Sequence, residues 1–128
     1  MSANPQLHLS TIIWQRVEAA LVFVAGIALF WHLNDGLSWW CALLLFFALD
    51  LSFFGYLFGA RVGAVCYNFA HVYAVGALLL AWGISMGIPI LGALGALCLA
   101  HCGFDRMLGY GLKSPQGFRF THLGVVGR

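Results

Sequence analysis

At 128 residues the chain has room for one domain, and a composition of 62% hydrophobic and 8% charged residues cannot cover a water-soluble surface. A net charge of +2 without a basic run excludes a nucleic-acid partner. What remains is an integral membrane protein of the all-α class. The expected architecture is one domain over residues 1–128, a bundle of four transmembrane helices with a short cytoplasmic C-terminal tail.

Met1 to Ser10 reads as a short polar tail, with His8 as a plain surface residue. It lacks a basic start, and the first apolar stretch is long enough to span, so no cleavable signal peptide is expected. Helices are expected at about 11–33, 37–58, 62–86 and 89–112, followed by a tail over 113–128. Each has the 20 or so residues that a hydrocarbon core of roughly 30 Å requires. Trp14, Trp31 and the Trp39-Trp40 pair read as interface anchors. Turns are marked by Asn34-Asp35-Gly36, Gly59-Ala60-Arg61 and Gly87-Ile88-Pro89, and the last helix is broken by Lys113-Ser114-Pro115-Gln116-Gly117.

Four spans place both termini on one side. Arg16, Arg61, Arg106, Lys113, Arg119 and Arg128 all fall on that side, and the turns near residues 35 and 87 carry no basic residue. The positive-inside rule then makes both termini cytoplasmic.

Ionisable residues inside such helices are costly, so their positions carry the functional signal. Asp50 and His71 are nearly equidistant from the turn near residue 60. Reflecting His71 across the turn near 87 reaches residue 103, between His101 and Asp105. Reflecting Asp50 across the turn near 36 reaches residue 22, one helical turn from Glu18. Five polar groups therefore share one slab in the cytoplasmic half. On helical spacing, Asp50 shares a face with Phe46, Phe47, Phe53 and Phe54, and His101 with Asp105.

Two imidazoles and two or three carboxylates form a ligand set for a divalent metal, Zn, Mn or Fe. The competing readings are a hydrogen-bonded network that only locks the helices together, and a proton or ion path. Tyr67 and Asn68 are candidates to support the ligands from behind. Arg106 reads as a snorkelling interface residue or a further supporting group, and Arg16 as a partner for Glu18. Cys41, Cys66, Cys98 and Cys102 read as reduced, buried packing residues.

On these residues the chain resembles the family of small four-span bacterial membrane proteins called domain of unknown function 4260. The resemblance rests on Arg16-Val17-Glu18, on Asp50 to Leu57 and on Tyr67-Asn68-Phe69-Ala70-His71. It continues through His101-Cys102-Gly103-Phe104-Asp105-Arg106, Gly109 to Lys113, and Thr121-His122-Leu123-Gly124. The pattern departs at Phe120, where an acid is expected, and at Gly76, where a proline is expected. The family label implies no activity. It adds His122 to the site residues.

The leading expectation is a metal-dependent hydrolase acting on a lipid-like substrate from the bilayer. Asp50, His71, His101 and Asp105 hold the metal, Glu18 is the general base, and His122 is a lid or additional ligand. Alternatives are a haem-binding or redox membrane protein, a transporter, and a structural protein without a site. A homodimer is expected, because Gly55-x-x-x-Gly59 and Gly83-x-x-x-Gly87 offer faces for close contact.

Overall fold

The computed structural model describes residues 9–34 and 36–126; the expectations on His8, Asp35 and Arg128 lie outside the described residues. The first helix, α1, spans Leu9–Leu33. Helix α2, Trp39–Ala48, runs directly into a 3₁₀ segment, Leu49–Phe58. Helices α3, Ala60–His71, and α4, Tyr73–Met86, are separated by Val72 alone. Helix α5 is Pro89–Met107. The chain ends in short strands β1, Lys113–Ser114, β2, Gly117–Thr121, and β3, Gly124–Val125, paired antiparallel in that order.

Of the described residues, 77% are helical. Among the described residues four stretches, Leu9–Leu33, Trp39–Phe58, Ala60–Met86 and Pro89–Met107, are long and apolar enough to cross a membrane. Their outward faces carry exposed Trp14, Leu21, Trp31, Leu57, Phe58, Phe69 and Leu78. Apolar surface on this scale matches hydrocarbon rather than water.

The helix ends follow local rules. The Ser38 hydroxyl accepts the Cys41 N–H at 3.3 Å and caps α2. Gly87, at φ +65°, closes α4. Its N–H reaches Ile84 O, and the Ile88 N–H reaches Gly83 O at 2.8 Å, the paired bonds of a left-handed helix stop. Pro89 then opens α5, where its missing N–H costs nothing.

Helix α5 is the centre of the bundle, with α1 and α4 packed against it. Small residues allow the approach. A Cβ on Gly26 would lie 2.8 Å from Ala100 N, and one on Gly103 would lie 2.7 Å from Ala19 O. Gly83 meets the backbone of Gly92, and Gly55 meets Cys66. Gly55 and Gly83 are therefore used within one chain, whereas a Cβ on Gly59 or Gly87 would meet nothing within 4 Å.

Three departures from straight helices position the site. First, the second span turns 3₁₀ at Leu49–Asp50. Residues three apart are then eclipsed, so Asp50, Phe53 and Tyr56 form one ridge, where α-helical spacing groups Asp50 with Phe46, Phe47, Phe53 and Phe54. Second, the third span breaks after His71, where Val72 is extended (φ −83°, ψ 142°). The freed carbonyls find donors: Arg106 Nη2 donates to His71 O at 3.3 Å, and the Cys102 thiol approaches Ala70 O and Val72 O. Irregular backbone at this depth is tolerated only when satisfied in this way.

Third, α5 stops at Met107 rather than near residue 112. Arg16 Nε donates to Met107 O at 2.9 Å, so Arg16 caps the end of α5. Gly109, at φ +97°, turns the chain back. At 19 residues against 25 for α1, α5 is about 9 Å shorter at 1.5 Å per residue. The β-strands pack on α3, and Phe118 sits edge-on to Phe53, Tyr56 and Tyr67.

Candidate metal centre

Asp50, His71, His101 and Asp105 meet at the three departures. Each offers one ligand atom, and the four atoms all lie within 4.8 Å of one another. His71 Nε2 is 3.0 Å from His101 Nε2. Asp50 Oδ1 is 3.4 Å from His71 Nε2 and 3.2 Å from His101 Nε2. Asp105 Oδ2 is 3.3 Å from both. A tetrahedral ion with bonds of about 2.0–2.1 Å separates its ligand atoms by about 3.3–3.4 Å. Five of the six edges fall at or just below that spacing.

The surroundings fix the ring orientations. His71 Nδ1 is 2.8 Å from Tyr67 O, a pure acceptor, so Nδ1 carries the proton and Nε2 is presented as a lone pair. Tyr67 stacks parallel on the His71 ring at 3.8 Å, and its hydroxyl donates to Asp105 Oδ2 at 3.3 Å. Phe46 packs edge-on to His101 at 4.9 Å. The Nδ1 of His101 is buried with no hydrogen-bond partner among the described residues.

Charge favours a cation here. At 3.0 Å the two facing Nε2 atoms cannot both carry a proton, because two N–H groups would then point at each other. The histidine pair supplies at most one positive charge against two carboxylates. Buried charge of that kind is costly unless it is neutralised, and a divalent ion neutralises it.

The group is buried at His71 and His101 but opens at Asp50, whose side chain is 51% exposed. A pocket of about 470 Å³ lies on this side, lined by Asp50, Leu51, Phe53, Phe54, Tyr67, Asp105, Tyr110, Lys113 and Phe118. In the sequence Lys113 is a basic residue on the side of the termini, at a helix breaker and at the end of the Gly109 to Lys113 motif. The residue is 3% exposed, and its Nζ has no hydrogen-bond partner among the described residues. Burial pushes the Lys113 ammonium below its ordinary range, against the opposing pull of Asp105. Asn68, expected behind the metal ligands, instead clamps the Lys113 backbone. Its Nδ2 donates to Lys113 O at 2.8 Å, and its Oδ1 accepts the Lys113 N–H at 2.6 Å.

Glu18 and His122 contribute no atom to the four-residue group. They line a separate pocket of about 200 Å³ with Gln15, Tyr73 and Arg106. His122 is held there because its Nδ1 accepts the Leu112 N–H at 2.9 Å. Burial, and then the nearby Arg106, lower its basicity. Arg106 stacks on Tyr73 at 4.1 Å and caps the break at His71. Depth reflection placed Glu18 in the right slab but gave no information about which side of α1 faces the group. Cys41 and Cys66 are exposed, and Cys102 alone of the four cysteines is fully buried.

Fold and site together define a helical bundle with four helices of membrane-spanning character and a preformed His₂Asp₂ group that could hold a metal ion. The chain belongs to the family described as domain of unknown function (DUF4260), which matches residues 12–126. No curated protein and no solved structure matches it.

Proposed function

We propose that the protein spans the bacterial inner membrane with both termini cytoplasmic, and that its His₂Asp₂ group holds one divalent metal as the centre of a membrane-embedded hydrolase. One observation carries this reading: four ligand atoms from three separate helical spans stand at tetrahedral spacing beside a pocket. Zinc fits that spacing and donor set best; Mn and Fe(II) accept the same donors. Such an ion supplies an activated water and polarises a substrate carbonyl or phosphoryl oxygen. The chain's own residues do the rest. His71 and His101 anchor the ion, and the Tyr67 hydroxyl orients the Asp105 carboxylate. Asp50, half exposed on its 3₁₀ turn, is the ligand placed to share its position with an oxygen arriving from the pocket. Glu18 stands in the neighbouring pocket with Arg106 and His122, and would act as general base only from there.

The test is elemental analysis of protein purified without chelator, followed by turnover of ester and phosphoester amphiphiles. Near-stoichiometric metal and chelator-sensitive turnover are expected. A folded protein free of metal would end this reading. Metal without turnover would leave the centre and remove the hydrolase.

A second reading is supported by the two interrupted spans. Discontinuous helices with unwound backbone at the ion site are a transporter device. Metal uptake by proteoliposomes distinguishes it from hydrolysis.

A further inference from the structure

Lys113 is the only lysine in the chain. Its ammonium stands 3.9 Å from the Phe118 ring centre and 5.0 Å from that of Tyr67, with both faces aromatic. Its backbone is clamped on both sides by Asn68, so the residue is held in place rather than trailing from a loose tail. Burying a lysine without a hydrogen-bond acceptor is costly, and surface lysines normally avoid it. The group lines the same pocket as Asp50 and Asp105. Leu51 continues that pocket into an apolar groove formed with Trp40, Leu43, Leu44, Phe47 and Ala48 on the outside of α2.

Charge selects the ligand. Two carboxylates and a divalent ion sum to zero, which leaves Lys113 as the unbalanced charge of the pocket. We infer that Lys113 is the head-group-binding residue of this pocket, and that the ligand is an amphiphile with an anionic oxygen head and one apolar chain lying along α2. The inference rests on the metal reading for its charge balance. Its geometry, a buried lysine without a hydrogen-bond acceptor among the described residues in the lining of a pocket with an apolar exit, stands apart from it. Alkyl phosphates and fatty carboxylates share the required head chemistry.

The test uses the full chain in discs of zwitterionic lipid, titrated with dodecyl phosphate, laurate and dodecyltrimethylammonium against empty-disc blanks. Wild type should bind at least one anionic amphiphile about tenfold or more tighter than the cationic one, the scale of a single charged hydrogen bond. The better of the two anions names the head group. Lys113→Met should abolish the preference while metal content stays at the wild-type level, and Lys113→Arg should restore part of it. If the methionine variant fails to fold, wild type alone decides. An alkyl phosphate bearing a diazirine beside its head should label the segment from Gly111 to Phe118. Equal binding of anion and cation, a preference that survives Lys113→Met, or labelling elsewhere would each overturn the inference and leave the metal reading intact. A metal-free wild type that still shows the Lys113-dependent preference would overturn the metal reading and keep this one.

Discussion

His71 Nε2 and His101 Nε2 face each other across 3.0 Å, from an α-helix that ends at His71 and a second helix that passes behind it. With the His71 proton fixed on Nδ1 by Tyr67 O, at most one proton fits between them. With the carboxylates of Asp50 and Asp105, the pair forms a group that could hold a metal ion.

The ligands should therefore act as a unit. His71→Ala, His101→Ala and Asp50→Asn should each abolish stoichiometric metal and lower the Tm, because each leaves opposing charges unpaired in a low dielectric. Tyr67→Phe keeps the ring stacked on His71 but loses the hydroxyl on Asp105. It should lower metal affinity by roughly 10–100-fold without loss of fold. Metal content and competition with a chelator measure both effects. Full metal occupancy in His71→Ala would remove the group from consideration as a metal centre.

Arg106 should prove structural. Its guanidinium satisfies the His71 carbonyl where the third span breaks. Arg106→Met leaves that carbonyl unpaired at membrane depth, at a cost of about 1–3 kcal/mol. Arg106→Lys should recover part of the loss. Thermal unfolding in detergent reads the difference, and an unchanged Tm in Arg106→Met would refute the capping role.

The α1–α5 contact should be intolerant of a single methyl group. Gly26→Ala places its Cβ 2.8 Å from Ala100 N, against backbone that cannot rotate away. A destabilisation of about 1–3 kcal/mol is expected, with a parallel loss of metal, because α5 carries His101 and Asp105. Gly36→Ala meets no neighbouring atom. Its effect comes from backbone strain at φ +77° in a turn, and metal content should stay at the wild-type level.

Docking of the C-terminal strands should depend on pH through His122. Burial and Arg106 hold its folded-state pKa below the ordinary value. The undocked tail then binds the proton more readily, so docking is strongest above about pH 6.5 and is lost as pH falls through the lowered value. Protonation also removes the lone pair that accepts the Leu112 N–H. The protection factor of the Leu112 amide, referred to its intrinsic exchange rate at each pH, should fall below that pH in wild type. His122→Gln should flatten the profile, and a flat wild-type profile would refute the link.

Much of the fold was legible in the sequence because it rests on local chemistry. Apolar runs set the four helices. Gly87 with Pro89, and Ser38, set their ends through backbone hydrogen bonds that need no distant partner. Counting residues from the turns was enough to bring Asp50, His71, His101 and Asp105 to one depth, since rise per residue is nearly constant. The same resemblance to the DUF4260 family was readable from motifs spread along the chain.

Tertiary structure decided which sides of the helices meet. Depth alone put Glu18 in the same slab, but packing turned it toward Arg106 and His122 instead. The 3₁₀ turn at Asp50 and the break at Val72 carry no Pro or Gly signal; the break holds because α5 supplies Arg106 and Cys102 to the freed carbonyls. Lys113 is the clearest case. In the sequence it is a basic residue beside a helix breaker, the sort that ordinarily stays in water. Only the early end of α5, the fold-back of the strands and the clamp from Asn68 bring Lys113 into the lining of the pocket. Those contacts join residues 45 positions apart, and a pattern of nearest neighbours along the chain contains no trace of them.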